Sequence, residues 1–216
     1  AAITLAAGDL QLGRGETVPD TARVLAGFVD AIMIRANRHS DVEALAAAAA
    51  VPVINGLTDL SHPCQIVADL MTVEERLGRR AEGTRWAWVG DGNNVCNSTI
   101  EAAGLVGFDL VVACPPAYPP NAAMLAQARA RGATISVIDA CADAASGADV
   151  VVTDTWVSMG DTDADARLHA FRSFHVNAEL MARAAPHALF LHCLPAHRGE
   201  EVADAVIDGP QSAVWD

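Results

Sequence analysis

Short apolar runs rich in Val, Ile, Leu or Trp recur along this chain, separated by longer stretches of Ala-rich helix formers. Repeated strand and helix units require such an alternation, because one parallel strand reaches the next only through a crossover packed on the sheet. The runs fall at 31–35, 51–55, 86–90, 110–114, 134–138, 150–153 and 189–193, and helical stretches at 41–50, 121–130 and 177–184. Their nearly continuous apolar character predicts strands covered on both faces. A longer helical pattern over 62–80 interrupts the rhythm. The expected fold is therefore α/β, with doubly wound parallel sheets in two lobes joined by a long helix. The first lobe has few strands for a free-standing sheet and reads as incomplete. The expected boundaries are 1–60 for that partial lobe, 61–82 for the interdomain helix and 83–216 for the second domain.

Composition removes several chemistries. All 14 basic residues are arginine. There is thus no lysine for a Schiff base, for a Walker-type phosphate loop or for a Ser-x-x-Lys nucleophile. A formal net charge of -13 opposes nucleic acid as a partner. No apolar run approaches the ~20 residues that span a bilayer, so no membrane partner is expected. An anionic substrate must then be held by a few local arginines, histidines or backbone N–H groups. The 5 cysteines are an odd number without C-x-x-C pairs, which reads as free thiols in a reducing, cytoplasmic setting. No pair of histidines or carboxylates has metal-ligand spacing, so neither a metal nor a cofactor is expected. The start at Ala1 lacks Met and any secretory pattern, and reads as a cut or processed end.

In open parallel sheets ligands bind beyond the carboxyl ends of the strands. Polar residues terminate apolar runs here at Arg35, at Asn55, at Asp91 with Asn93 and Asn94, at Asp154, and at His192 with Cys193. Each alone reads as a turn or cap residue; their recurrence at strand after strand favours a site. Ser61-His62-Pro63-Cys64-Gln65 opens the long helix, with Ser61 expected as N-cap and Pro63 in the first turn. A helix start draws anions, and His62 and Gln65 share a face three residues apart, although a plain capped start with a solvent-facing histidine fits equally.

Gly90-Asp91-Gly92-Asn93-Asn94-Val95 resembles the first part of a dinucleotide loop, with Val95 where a third glycine would stand. The next run ends at Cys114-Pro115-Pro116 without a ribose-binding acid, since Asp109 stands at its start. The missing acid argues against a nicotinamide-dependent dehydrogenase and for a backbone turn that presents Asn93 and Asn94. Asp154-Thr155-Trp156-Val157-Ser158-Met159-Gly160 and the acidic stretch after it read either as a solvated loop or as one that closes over substrate. The second is favoured by Trp156 and Met159, which are costly to expose. Along a strand His192 and Cys193 would point to opposite faces, so Cys193 is expected to contact ligand or lie buried rather than act as a nucleophile.

Taken in order, His62-Pro63-Cys64-Gln65, Gly90-Asp91-Gly92-Asn93-Asn94, Asp154 to Gly160 and His192-Cys193-Leu194-Pro195, together with the stretch 12–35, resemble the ornithine carbamoyltransferases of the aspartate/ornithine carbamoyltransferase family. The Ser-Met-Gly element sets the ornithine members apart from their aspartate relatives. The resemblance implies transfer of the carbamoyl group of carbamoyl phosphate to the δ-amine of L-ornithine, giving L-citrulline and phosphate in arginine biosynthesis. It implies that Arg35, His62 and Gln65 hold carbamoyl phosphate, and that Asn94, Asp154, Ser158 and Met159 hold ornithine. Cys193 and Leu194 would lie between the substrates, and Gln11 would be lent by a neighbouring subunit of a homotrimer or higher homo-oligomer. Arg35, His62, Asp154 and Cys193 are the expected catalytic residues. The family's Ser-Thr-Arg-Thr-Arg phosphate-binding run does not occur in these 216 residues. The resemblance implies that it precedes Ala1, and that a helix with a further arginine follows Asp216. The alternative from another class is a truncated, non-catalytic ornithine-binding module.

Overall fold

In the computed structural model, which describes residues 2–10, 15–158 and 162–216, each expected apolar run forms a strand. Every pairing of those strands is parallel. The chain divides into two units, Ala1–Cys64 and Gln65–Asp216.

In the first unit, helix α1 (Val18–Ala26) starts at Thr17, whose hydroxyl oxygen accepts the Asp20 N–H at 3.3 Å, a standard way to satisfy an orphan helical donor. Strands β1 (Ile32–Arg35) and β2 (Val53–Leu57) pair on either side of α2 (His39–Ala48) in sequence. Ala22, Ile32 and Leu45 form the small core. Within these residues one face of the pair is exposed, as an incomplete lobe implies: Met33 is 69% and Ile54 47% exposed. Side chains alternate across a strand, so Ile32 and Val53 turn inward and Met33 and Ile54 outward. An unbroken apolar run cannot say whether its second face is covered.

The second unit has strand order β5-β4-β3-β6-β7, with β3 (Arg85–Val89), β4 (Asp109–Ala113), β5 (Ile135–Ile138), β6 (Val150–Thr153) and β7 (Leu189–His192). The chain builds outward from β3 on one side, then returns to pair β6 with β3 on the other. That reversal puts the carboxyl ends of β3 and β6 side by side at a switch point, where open α/β sheets bind ligands. The pleat of β3 divides the core. Trp86 and Trp88 face one layer, with α3 (Pro63–Leu77) and α4 (Asn94–Val106); Ala87 and Val89 face the other, with α6 (Cys141–Ala145) and α7 (Ala164–Phe171). Trp86 stacks on Phe108 with centroids 4.5 Å apart, and both indole N–H groups are satisfied, by Thr84 Oγ1 at 2.8 Å and the Asp91 carbonyl at 2.9 Å.

Helix α5 (Ala122–Ala130) follows its expected span closely. The helix expected at 177–184 shortens to α8 (Ala178–Met181), capped by Asn177 and followed by Pro186, which disfavours helical geometry in the residue before it. The final helix α9 is Asp204–Ile207.

Candidate functional site

Asp154 leaves β6 directly at the switch point and is 5% exposed. Its Oδ2 accepts Asn93 Nδ2–H at 2.7 Å; its Oδ1 accepts the Thr155 N–H at 2.7 Å and the Cys193 thiol at 3.0 Å. Asn93 is held at its other end as the N-cap of α4, where Oδ1 accepts the N–H groups of Val95 and Cys96 at 3.0 and 3.1 Å. Asn93 is thus not presented outward, as its place in the turn suggested, but locks the Asp154 carboxylate to the start of a helix. Asn94, the first residue of α4, is half-buried.

The turn's glycines serve the protein's own chain. A Cβ on Gly92 would lie 2.2 Å from Pro120 N and 2.3 Å from the Pro119 carbonyl carbon. Glycine is required there because the segment after β4 passes directly over it, not because a pyrophosphate approaches.

Cys193 follows the end of β7, so strand alternation does not extend to it. Its thiol and the reactive atoms of His192 and Asp154 come within 4.8 Å of one another, a group of the kind that can hold a metal ion, which corrects the expected divergence of His192 and Cys193. A second such group is His197, Glu200 and Glu201. In the first trio each residue already has a hydrogen-bond partner, and only Cys193 and Asp154 are bonded to each other. The thiol donates to Asp154, His192 Nδ1 accepts the Leu194 N–H at 2.9 Å, and His192 Nε2 faces Glu201 Oε1 at 3.1 Å. Glu201 is fully buried and also accepts the His197 N–H. Leu194 sits in the left-handed region at φ 56° and is 38% exposed.

Burial and the neighbouring Asp154 charge push the Cys193 thiol far above the usual range, so it stays protonated at neutral pH and serves as a donor. Iodoacetamide should label the exposed Cys64 well before Cys193, Cys96 or Cys114, with peptide mass mapping as the readout. Early alkylation of Cys193 would contradict a half-buried, hydrogen-bonded thiol.

The segment after Asp154 is anchored rather than loose. Trp156 is 5% exposed and stacks on Phe171, so the cost of exposing it does not arise and it gives no support to a closing loop. Arg167 on α7 donates from Nε to the Trp156 carbonyl at 2.7 Å and from Nη2 to the Asp91 carboxylate. Its guanidinium lies 4.7 Å from the Tyr118 ring centroid and 5.6 Å from that of Phe171. Ser158 is half-buried. Met159 and Gln11 lie outside the described residues.

Arg35 ends β1 and is exposed, and His62 is half-buried immediately before α3, both in the first unit. Helix α3 begins at Pro63, so His62 and not Ser61 precedes it; the Ser61 hydroxyl instead accepts Asn55 Nδ2–H at 3.0 Å. One turn into the helix, Gln65 Nε2 donates to Asp69 Oδ1 at 2.9 Å. Asp69 is 5% exposed, and burial lifts its carboxyl to about 6. Asp69, Arg167 and Glu201 were missed as site-forming residues. Asp69 did carry a legible signal, an acid on the same helix face as Ile66 and Val73.

The family model for the aspartate/ornithine carbamoyltransferase carbamoyl-P binding domain matches residues 1–75, and that for the Asp/Orn binding domain matches residues 82–216. The chain belongs to the aspartate/ornithine carbamoyltransferase family. The ornithine carbamoyltransferase of Rhizorhabdus wittichii is 59% identical over 214 residues, covering 99% of this chain and 69% of the relative. That of Caulobacter vibrioides is 59% identical over 215 residues, covering 100% of this chain and 69% of the relative. Among solved structures, the ornithine carbamoyltransferase from Pyrococcus furiosus superposes with a TM-score of 0.90 at 50% identity, over 97% of this chain and 68% of that one. The Thermus thermophilus enzyme gives 0.87 at 42% identity, over 98% and 69%. Both sheets are accordingly those of a carbamoyltransferase, and no helix among the described residues is long and apolar enough to cross a membrane.

Proposed function

We propose that this chain catalyses carbamoyl transfer from carbamoyl phosphate to the δ-amine of L-ornithine, giving L-citrulline and phosphate. The observation that carries the assignment to particular atoms is the Asp154 carboxylate, fixed by Asn93, Thr155 and Cys193 at the switch point. A carboxylate has about four lone-pair sites, and Oδ2 takes one protein donor from Asn93, leaving room to accept from the ornithine δ-amine. An alkyl ammonium with a pKa of roughly 10 must lose a proton before its lone pair can attack the carbamoyl carbon. That first proton leaves to solvent; the new C–N bond then forms as the C–O bond to phosphate breaks, and the departing phosphate takes the second proton, from the attacking nitrogen. Cys193 cannot accept that proton while its thiol is donating to Asp154.

Arg35 and His62 stabilise the developing oxyanion, Gln65 joins them in holding carbamoyl phosphate, and Asn94, Ser158 and Met159 join Asp154 in holding ornithine. Cys193 and Leu194 stand between the two substrates. The site takes Gln11 from a neighbouring subunit of a homotrimer or higher homo-oligomer, in the cytoplasm. The domain limits we assign are 1–60, 61–82 and 83–216.

Arg35→Ala in the full-length protein should lower citrulline formation about a hundredfold, the usual cost of one oxyanion donor, with the circular dichroism spectrum unchanged. Near-normal turnover would remove Arg35 from this role. Ornithine binding by the unsubstituted protein without any citrulline formation would instead establish a non-catalytic binding module.

A further inference from the structure

Gln65 and Asp69 stand one turn apart on α3, so their side chains meet on one face, and Gln65 Nε2 donates to Asp69 Oδ1 at 2.9 Å. That face also carries Ile66 and Val73 into the core, and Asp69 is 5% exposed. A carboxylate in such a place is costly unless its charge is used. The groups that face it come from its own helix, where Gln65 donates, and from the ends of two strands. Asp154 after β6 repels it, His192 at the end of β7 attracts it, and the Cys193 thiol beside them senses it.

A carboxamide has a donor end and an acceptor end of nearly equal shape, so its partner decides which way it points. An ionised carboxylate only accepts, and therefore draws Nε2 inward and turns Oε1 out. A protonated carboxyl can donate to Oε1 and allow the amide to turn over.

We propose that Asp69 is a positioning residue for carbamoyl transfer: its carboxylate fixes the Gln65 carboxamide with Nε2 inward, so that Oε1 is the atom offered to the NH2 group of carbamoyl phosphate. This role rests on Gln65 holding carbamoyl phosphate. Desolvation lifts the Asp69 carboxyl to about 6, with the Gln65 hydrogen bond opposing, Asp154 adding and His192 opposing. Above that value the carboxylate form dominates and the amide is fixed. Below it the constraint is released and carbamoyl phosphate binds less well.

The test uses the full-length protein and the KM for carbamoyl phosphate at saturating ornithine, between about pH 5.5 and pH 8, a window set by the raised carboxyl. Unsubstituted protein is compared with Asp69→Asn, Gln65→Ala and the double variant, because carbamoyl phosphate and ornithine titrate in all of them while residue 69 titrates in only some. Asp69→Asn should raise the KM for carbamoyl phosphate at pH 8 on the order of tenfold, with little change in that for ornithine. It should also lose the inflection near 6, and the double variant should be no worse than Gln65→Ala. Stability gives an independent readout. A carboxyl raised in the folded state stabilises when protonated, and that contribution is lost as pH rises through about 6. Asp69→Asn should therefore melt higher than the unsubstituted protein at pH 8, with the gap closing toward pH 4.

An unchanged KM and a retained inflection in Asp69→Asn, while Gln65→Ala raises the KM, would overturn the role of Asp69 and leave that of Gln65 standing. An unchanged KM in Gln65→Ala would overturn the role of Gln65 itself, and with it this one. Should Asp69→Asn fail to fold, the carboxamide 1H–15N resonances of Gln65 in the unsubstituted protein decide the matter. A titration near 6 supports the switch, and insensitivity to pH removes it.

Discussion

Arg167→Met should destabilise the protein by about 3–5 kcal/mol, the usual cost of removing one member of a buried ion pair. Arg167 and Asp91 are 8% and 7% exposed, and the guanidinium meets the Asp91 carboxylate directly. Methionine can fill much of the stem's volume against Tyr118 and Phe171 but returns neither the charge opposite Asp91 nor the donor to the Trp156 carbonyl. Urea denaturation measures the loss. Adding Asp91→Asn should recover part of it, because a neutral amide is far less costly to leave in that setting. A loss below about 1 kcal/mol for Arg167→Met would mean that the pair is effectively solvated. The substitution should also raise the KM for ornithine, since the same guanidinium ties the segment following Asp154 to the turn following β3.

The strands were legible because a buried parallel strand leaves a short, nearly unbroken apolar run, and β6 came out at its full span. The strand-end rule also singles out Asp154, Asn94 and Cys193 from the sequence alone. What stayed hidden depended on partners far along the chain. Arg167 lies just past an acidic stretch and reads as a solvated helix residue, while its carboxylate partner is 76 residues away. Asn93 looked like one of two equivalent turn amides; only the fold shows that one end caps α4 and the other holds Asp154. The exposure of one face of β1 and β2 in these residues was not legible in the strand pattern either. Met33 and Ile54 are as apolar as their inward neighbours, and covering is a property of what packs on a face, not of the residues in it.

The largest effect on turnover is expected at Asp154. Asp154→Asn is nearly isosteric, yet it presents an NH2 group to one of two sets of donors. With that group on the Oδ2 side, it meets Asn93 Nδ2–H; turned over, it meets the Thr155 N–H and the Cys193 thiol. Asn93 cannot relieve the first clash by flipping, because its Oδ1 caps α4 through Val95 and Cys96. The variant must therefore shift the side chain or break a cap, and misplacement of that kind costs about a hundredfold in rate. Losing the charge-assisted hydrogen bond to the amine contributes about another tenfold. Citrulline formation should fall by about a thousandfold or more, with the circular dichroism spectrum retained. Cys193→Ala should cost about tenfold or less, because it removes one weak thiol donor and leaves the Asp154 charge in place. Steady-state rates at saturating carbamoyl phosphate and ornithine separate the two. If Cys193→Ala were the more damaging change, the thiol and not the carboxylate would be the group that handles the amine. If Asp154→Asn kept near-normal turnover, neither the charge nor the fixed orientation of residue 154 would be needed for attack.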